Sequence, residues 1–201
     1  MIMTKHLDLG SGSNPRNPFS ADQLYGVDII DAKNLKINFT YAKCNLLLDP
    51  LPFDDNYFDS VSAYDLFEHI LRVHIVNEKT KFPFVDLMSE VYRVLKPGGQ
   101  LYALTPVYPK ESAFVDPTHV NFISINTHKY FITPHNWAKM YGFKGSFLKK
   151  RVSIVNFEME VKNFSFIKLI ILTTLNIIYS RRKQHIVWHF TALKDISIKH
   201  A

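Results

Sequence analysis

Short apolar runs alternate with polar stretches along this chain, in the pattern of an α/β domain. The first half predicts four buried strands and then one helix. Residues 84–95 carry apolar side chains at helical spacing, and the sequence Pro97-Gly98-Gly99 is expected to end that helix. The predicted strands are Ile2–Leu9, Leu24–Asp28, a segment leading into Cys44–Leu46, and Phe58–Tyr64.

The second half continues the pattern of strands and helices. A helix is predicted to begin at Thr133-Pro134 and to stop at Gly142. No repeat or linker divides the sequence, so we expect one domain over residues 1–201. The remaining strands are predicted over Gln100–Thr105, 143–161 and 185–194, the last two as an antiparallel pair at one edge of the sheet.

An apolar segment separates the last two predicted strands. Residues 164–179 read FSFIKLIILTTLNIIY and are followed by Arg181-Arg182-Lys183. Sixteen residues interrupted by Lys168 and Asn176 are too few for a membrane-spanning helix, which needs about 20. We therefore predict no transmembrane segment. A helix that packs in the core or against a second copy is the first interpretation, and an interfacial helix on a membrane surface is the alternative.

The sequence LDLGSGSNP over residues 7–15 is the first candidate functional feature. The first strand ends near Asp8 and runs into Gly10 and Gly12, which tolerate positive φ and let a ligand approach the backbone closely. A dinucleotide-binding turn would have a third Gly or Ala where Pro15 stands, to bring a helix N-terminus near a pyrophosphate. Pro15 also makes the following helix short or late. We therefore expect a ligand without phosphates that has a positive centre near Asp8.

Three further motifs follow in order. The sequence YGVDI at 25–29 ends a strand on Asp28, whose carboxylate can accept both hydroxyls of a ribose. NLLLDPLPFDDNYFDSVSAYDLFEHI covers 45–70, and VYRVLKPGGQLYALTP covers 91–106. With these motifs the chain resembles the class I S-adenosylmethionine-dependent methyltransferases, especially the small single-domain enzymes of ubiquinone and menaquinone biosynthesis. FVDPTHVNF at 114–122 and QHIVWHFTALK at 184–194 are similar to methyltransferases of bacterial polysaccharide clusters.

The resemblance implies a Rossmann-like α/β fold. It implies a mostly parallel sheet of about seven strands with an antiparallel edge strand and helices on both faces. It also implies S-adenosylmethionine as the cofactor. Residues 106–135 and 144–183 are the segments long enough to serve as insertions on the substrate side.

The resemblance assigns roles to particular residues of the cofactor site. Gly10 and Gly12 would hold the amino acid portion with Asp8 beneath them, and Asp28 would bind the ribose. Ile29 would cover one face of the adenine. Asn45 stands where the family usually has an acid, and its side-chain oxygen can still accept from the adenine amino group, with Leu46 alongside. Ala63, Tyr64 and Asp65 would line the methionine end and the methyl group.

Methyl transfer itself needs a base only where the acceptor is a hydroxyl or a protonated amine. The candidates are His119, Asp116, His69 and Asp65, and the first two lie together in a DPTH loop after the fifth strand. Asp65, Glu68 and His69 also share one face of a helical turn, and such a set suits a divalent cation. The alternative is that Glu68 and His69 form a structural cap, and we expect no metal.

Composition and charge bear on the cellular compartment of this protein and on the kind of partner it binds. The only cysteine, Cys44, excludes an internal disulfide and fits a reducing compartment. With no apolar leader at the start, we expect a cytoplasmic protein, with peripheral contact at the inner membrane face left open. Residues 139–201 contain twelve Lys or Arg against three Asp or Glu, whereas residues 1–138 contain twelve against fifteen. The basic end indicates either an anionic partner or solubilising charge around an apolar helix.

These observations predict an enzyme that transfers a methyl group from S-adenosylmethionine to a small-molecule or cell-surface-precursor acceptor, such as a sugar or sugar-linked hydroxyl or amine. One alternative is a quinone or lipid methyltransferase acting at a membrane surface. Another is a degenerate methyltransferase fold that serves as a binding protein. We expect no nucleic-acid substrate, because AYDL stands where a nucleic-acid methyltransferase would have an NPPY-like motif.

Overall fold

The computed structural model of this chain describes residues 3–31, 38–161 and 183–194. The strands are β1 (Lys5–Leu9), β2 (Gln23–Asp28), β3 (Thr40–Lys43), β4 (Phe58–Tyr64), β5 (His74–Val76), β6 (Lys79–Lys81), β7 (Leu95–Pro106), β8 (Phe147–Val155) and β9 (His185–Ala192). The α-helices are α1 (Pro83–Val94) and α2 (Phe157–Val161). Short 3-10 helices cover Phe67–His69, Glu111–Ala113, Thr127–Tyr130 and Trp137–Tyr141.

Seven of the strands form one sheet in the order β3-β2-β1-β4-β7-β9-β8. The pairs from β3 to β7 are parallel, and β9 runs antiparallel to both β7 and β8. This confirms the predicted Rossmann-like α/β fold. The antiparallel strand lies one position inside the edge, which β8 forms, rather than at the edge itself. The small hairpin of β5 and β6 was not predicted.

Helix α1 forms where the helical spacing predicts it. Phe84, Leu87, Met88 and Val91 are buried along one face, and they pack into the core beneath the sheet. The helix does not end in a turn at the Pro-Gly-Gly sequence as predicted. Instead the chain enters β7 directly, and residues 96–99 lie in a bulge where the pairing of β7 with β4 changes register.

The two faces of the sheet differ in chemistry. The face toward α1 carries apolar side chains such as Leu9, Leu101 and Trp188, which are at most 1% exposed. On the other face, Phe157 of α2 packs against a smaller cluster that includes Leu104 and Val187. The central part of that face is polar, and it lies next to the candidate site.

Two predicted helices take other forms. Residues 10–22 contain no helix, since Pro15 and Pro18 leave this segment as a loop. The helix predicted from Thr133 is shorter and begins at Trp137, and Gly142 ends it with φ of 92°. The apolar segment 164–179 and Arg181-Arg182 lie outside the described residues. Within the described residues, every helix is too short or too polar to cross a membrane.

Candidate cofactor and acceptor site

The glycine turn after β1 is open on one side and packed on the other. Gly10 and Gly12 adopt φ of 65° and 53°, which side chains on L residues disfavour. A Cβ on Gly10 would lie 3.2 Å from Leu66 Cδ1, whereas a Cβ on Gly12 would meet no heavy atom within 4 Å. The turn therefore touches the segment after β4 and leaves space for a ligand above Gly12.

Asp28 at the end of β2 faces this turn. Its Oδ2 accepts the Gly12 N–H at 2.9 Å, and its Oδ1 accepts the N–H groups of Ile29 and Ile30 at 2.7 and 3.3 Å. These bonds fix the carboxylate while the residue stays half-buried. The Oδ2 atom keeps one free lone pair, which can accept one hydroxyl of a ribose.

Gly26, which the sequence analysis did not single out, explains how the turn lies so close to β2. A Cβ at this position would lie 2.5 Å from Ser11 Oγ and 2.7 Å from the Phe39 ring. Any larger residue would push the glycine turn away from the end of β2. The glycine two residues before Asp28 in YGVD was the available signal.

Both carboxylate oxygens of Asp8, near the end of β1, accept hydrogen bonds from the protein itself. Its Oδ2 accepts the Arg16 N–H at 2.8 Å, and its Oδ1 accepts the Ser62 hydroxyl. Asp8 is 1% exposed, and burial raises its pKa to about 6. Asp8 therefore holds the loop that follows the turn, while Arg16 lies over the Tyr64 ring at 4.4 Å.

The Asp8–Ser62 bond belongs to a polar ladder across β1 and β4 that the sequence analysis missed. The two ring nitrogens of buried His6 contact Ser60 Oγ and Ser62 Oγ at 2.7 and 2.8 Å. Burial lowers the pKa of His6 to about 4. The signal was a pair of polar positions two residues apart on each strand, because His6 pairs with Ser60 and Asp8 with Ser62 in register.

The predicted adenine-side residues agree only in part with the expected roles. Ile29 is 59% exposed and free to cover a ring. The Asn45 side-chain oxygen accepts the Leu47 N–H at 3.1 Å, so the atom expected to meet the adenine amino group already closes a turn. Leu46 packs partly against the core.

The end of β4 also departs from expectation. Ala63 points into the apolar core and is 1% exposed, so its side chain does not line the site. Asp65 adopts a left-handed conformation with φ of 47°. Its Oδ1 lies 3.1 Å from Nε2 of His185 on β9. Asp65 therefore pairs with His185 and not with Glu68 or His69.

The loop after β7 joins the short helix at Phe67–His69. The N–H groups of Val120 and Asn121 both donate to the Glu68 carbonyl at 2.9 Å. These bonds bring the His119 and His69 rings to 4.8 Å between centroids. The structure therefore unites two of the predicted proton acceptors, although 50 residues separate them in the sequence.

The Asp116 carbonyl accepts the His119 N–H at 3.1 Å, whereas the Asp116 side chain contacts His69 indirectly. Its Oδ1 accepts the Thr118 hydroxyl at 2.6 Å, and Thr118 Oγ1 lies 3.0 Å from His69 Nδ1. Because the hydroxyl proton goes to Asp116, His69 Nδ1–H is the donor to Thr118.

Glu68 is a buried acid next to His69 in the short helix after β4. It is 2% exposed, and its Oε2 accepts the Thr105 hydroxyl at 2.7 Å. Its Oε1 is buried with no hydrogen-bond partner among the described residues, as is His119 Nδ1. Burial raises the pKa of Glu68 to about 7.

Replacement of Asp28 by alanine tests the ribose contact directly. We expect Asp28→Ala to weaken binding of S-adenosylmethionine by about 1.5–3 kcal/mol, because a charged hydrogen-bond acceptor is lost. Titration calorimetry measures the change. Asp31→Ala is the matched control, since this exposed acid pairs with Lys43 at the surface. Equal affinity of both variants would mean that Asp28 serves only the turn.

Part of this chain is similar in sequence to known proteins. A protein family described as "Methyltransferase domain" matches residues 7–103. Residues of this chain are 35% identical over 82 positions to the ubiquinone/menaquinone biosynthesis C-methyltransferase of Psychromonas ingrahamii, a match that covers 39% of this chain and 28% of that relative's length. The chain thus spans less than a third of this curated relative.

Solved structures match over nearly the whole chain. An S-adenosylmethionine-dependent methyltransferase from Mesorhizobium loti matches with a TM-score of 0.56 and 14% identity, over 94% of this chain and 91% of that one. One from Archaeoglobus fulgidus matches with a TM-score of 0.55 and 19% identity, over 94% and 86%. At this level of identity the solved structures show only the fold. The likeness in sequence rests on the motifs and on the family match over residues 7–103. The chain is therefore similar to the class I S-adenosylmethionine-dependent methyltransferases, in sequence over residues 7–103 and in fold over nearly all of its length.

Proposed function

We propose that this protein transfers a methyl group from S-adenosylmethionine to an oxygen or nitrogen of a small-molecule or cell-surface-precursor acceptor. The observation that supports it is the contact of Gly10 with Leu66, which places the cofactor turn beside the short helix of Glu68 and His69. A methyl-donor site and a group of proton acceptors then adjoin at the carboxyl edge of the sheet, where ligands of open α/β folds bind.

The reaction requires little covalent participation by the protein. The acceptor atom forms a bond to the methyl carbon while the carbon–sulfur bond breaks, and the electron pair of that bond stays on sulfur. Asp28 and the glycine turn hold the donor in place. The proton of the acceptor passes to the cluster of Glu68, His69 and His119.

The absence of a helix in residues 10–22 supports a donor without phosphates. A dinucleotide would need a helix N-terminus at this turn to bind its pyrophosphate. S-adenosylmethionine carries a sulfonium, an ammonium and a carboxylate in place of phosphates. The loop closed by Asp8 and Arg16 suits such a ligand better.

We propose a sugar or sugar-linked acceptor, reached from the loop 106–135. This loop, which also contains His119, exposes the aromatic rings of Tyr108, Phe114 and Phe122, and rings of this kind pack against the C–H faces of sugars. The basic charge after residue 138 would favour an anionic acceptor such as a sugar nucleotide. The work would take place in the cytoplasm, with contact at the inner membrane face as an extension of the proposal.

The second candidate is a quinone or lipid methyltransferase at a membrane surface. It is favoured by the matched relative, whose name is that of a C-methyltransferase of ubiquinone and menaquinone biosynthesis. The basic sequence at 181–183 next to an apolar segment would suit such a surface. A methyltransferase fold that only binds its ligand is the non-enzymatic alternative.

Two experiments, a binding measurement and then product analysis, test these proposals. Calorimetry should show binding of S-adenosylmethionine and its demethylated product, but not of NAD. Incubation with nucleotide sugars, quinone precursors or lipid extracts should then give one product heavier by one methylene unit. Binding without any methylated product across the panel would favour the non-enzymatic alternative, and no binding of either sulfur compound at millimolar concentration would refute the main proposal.

A further inference from the structure

A cavity of about 460 Å³ opens beside the N-terminus of α1, among residues to which the proposed function gives no role. The rings of Phe84 and Phe131 are buried and form its floor, with their centroids 5.4 Å apart. Tyr130 and Tyr141 line the walls and are 38% and 41% exposed, and Phe82 lies 5.1 Å from Tyr141 between ring centroids. Five aromatic rings thus line one space of the size that small-molecule sites have.

The charge of this cavity comes from one side chain. Among the described residues that line it, Arg72 is the only charged one. Its Nε donates to the Asn121 side-chain oxygen at 2.6 Å, and its Nη2 donates to the Phe122 carbonyl. Both acceptors are neutral, and no carboxylate of the described ranges forms an ion pair with Arg72. The guanidinium is therefore held in place with its charge available to an anion.

The same bonds place the cavity next to the acceptor side of the molecule. Asn121 is buried, and its backbone N–H donates to the Glu68 carbonyl at 2.9 Å. Its side-chain amide donates to the Phe67 carbonyl at 2.9 Å, which orients the oxygen that Arg72 uses. Since Asn121 is two residues from His119 in the chain, an anionic group on Arg72 would lie beside the segment that carries His119.

We propose that this cavity binds a nucleoside diphosphate, with the base packed against Tyr130 and Tyr141 and the diphosphate on Arg72. Aromatic side chains stack on any base, and a guanidinium binds phosphate oxygens with strong, directional hydrogen bonds. The inference deepens the proposed function and rests on it in one respect, because the sugar carried by such a nucleotide would be the methyl acceptor. Binding of the nucleotide itself needs neither the cofactor nor the reaction.

An acyl or prenyl phosphate would offer the same anion on an apolar chain. The lining favours the nucleotide, because its aliphatic side chains are limited to Val73 and Val85 among the described residues, whereas aromatic rings are abundant. The Thr127 hydroxyl and the Asn121 amide also line the walls. A hydrocarbon chain would cover these polar groups without bonding to them, which is unfavourable.

Titration calorimetry of the whole chain with UDP and GDP, in the absence of cofactor, tests the site. We expect at least one of them to bind tenfold or more tightly than inorganic pyrophosphate, because the base adds stacking to the contact with Arg72. Decyl phosphate, which carries an apolar chain, should bind more weakly than that nucleotide. A saturating amount of demethylated cofactor should leave the nucleotide affinity unchanged, which separates the cavity from the glycine turn.

Variants separate the two halves of the proposed site. Arg72→Gln should weaken nucleotide binding by about 10–150-fold through loss of charged hydrogen bonds. Lys79→Gln is the matched control, since this exposed cation on β6 is not among the lining residues. Tyr141→Leu keeps an apolar side chain without the ring and should weaken binding by about 5–150-fold, whereas Tyr141→Phe should retain it. Circular dichroism should show that all four variants fold.

The proposal is overturned if neither nucleotide binds more tightly than pyrophosphate, or if Arg72→Gln and Tyr141→Leu both bind as the unaltered chain does. Tighter binding of decyl phosphate than of either nucleotide would also overturn it and would assign the cavity to an apolar chain. Methyl transfer to an acceptor without a nucleotide, by a chain that binds neither UDP nor GDP, would overturn this inference alone. Nucleotide binding without any binding of S-adenosylmethionine would overturn the proposed function alone.

Discussion

Replacing His69 by alanine is expected to lower methyl-transfer turnover by about 10²–10⁴-fold while leaving the affinity for S-adenosylmethionine unchanged. His69 lies three residues after Leu66, which contacts the glycine turn, and removal of a proton acceptor has an effect of this size. His119→Ala should lose activity in the same range, because both rings belong to one cluster. Turnover under saturating cofactor, together with calorimetry on each variant, separates catalysis from binding.

His135→Ala is the control for these histidine variants, since this exposed ring lies on another surface next to Trp137. Its turnover should equal that of the unaltered chain. Thr118→Val should have a smaller effect than His69→Ala and should move the pH profile, because Thr118 acts through the orientation of His69. If His69→Ala and His135→Ala have equal turnover, the cluster takes no part in the reaction.

Replacing Trp188 by alanine is expected to destabilise the fold by about 3–5 kcal/mol. The side chain is fully buried on β9 and lies among the rings of Phe67, Phe84, Phe131 and Phe190. Removing it leaves a cavity between the sheet and α1 that the rigid neighbours cannot fill. Urea unfolding followed by circular dichroism measures the loss as a lower midpoint at constant slope.

Two variants provide the comparison. Trp137→Ala should change stability far less, because Trp137 is 46% exposed. Trp188→Phe should also cost less than Trp188→Ala, because it keeps most of the ring and removes an indole N–H that has no partner among the described residues. A loss below about 1 kcal/mol for Trp188→Ala would show that the core relaxes around the site.

The cofactor half of the molecule could be predicted because its features are local. Strand β4 has the predicted bounds, and β2 begins one residue before its prediction. Alternation of apolar and polar residues directly indicates which side chains are buried, and a glycine at the end of a strand indicates a turn. The Pro-Gly-Gly sequence misled the prediction, because tertiary pairing with β4 drew it into a bulged strand.

The acceptor side could be predicted only as a set of separate candidates. His69, Asp116 and His119 were identified by residue type and by position after a strand, but not by contact. Which acid faces which imidazole depends on how the loop after β7 bonds to the short helix. Such long-range bonds leave no periodic trace in the sequence.

The amino-acid sequence by itself determined the fold class and the place of the glycine turn and Asp28, because strand endings and positive-φ turns depend on neighbouring residues. Only the tertiary structure decided that His119 joins Glu68 and His69 while Asp65 pairs with His185. It also decided that His6 and Asp8 form one polar ladder with Ser60 and Ser62. The physical reason is that these contacts join residues about 50 or more positions apart, and strand register and loop closure bring them together.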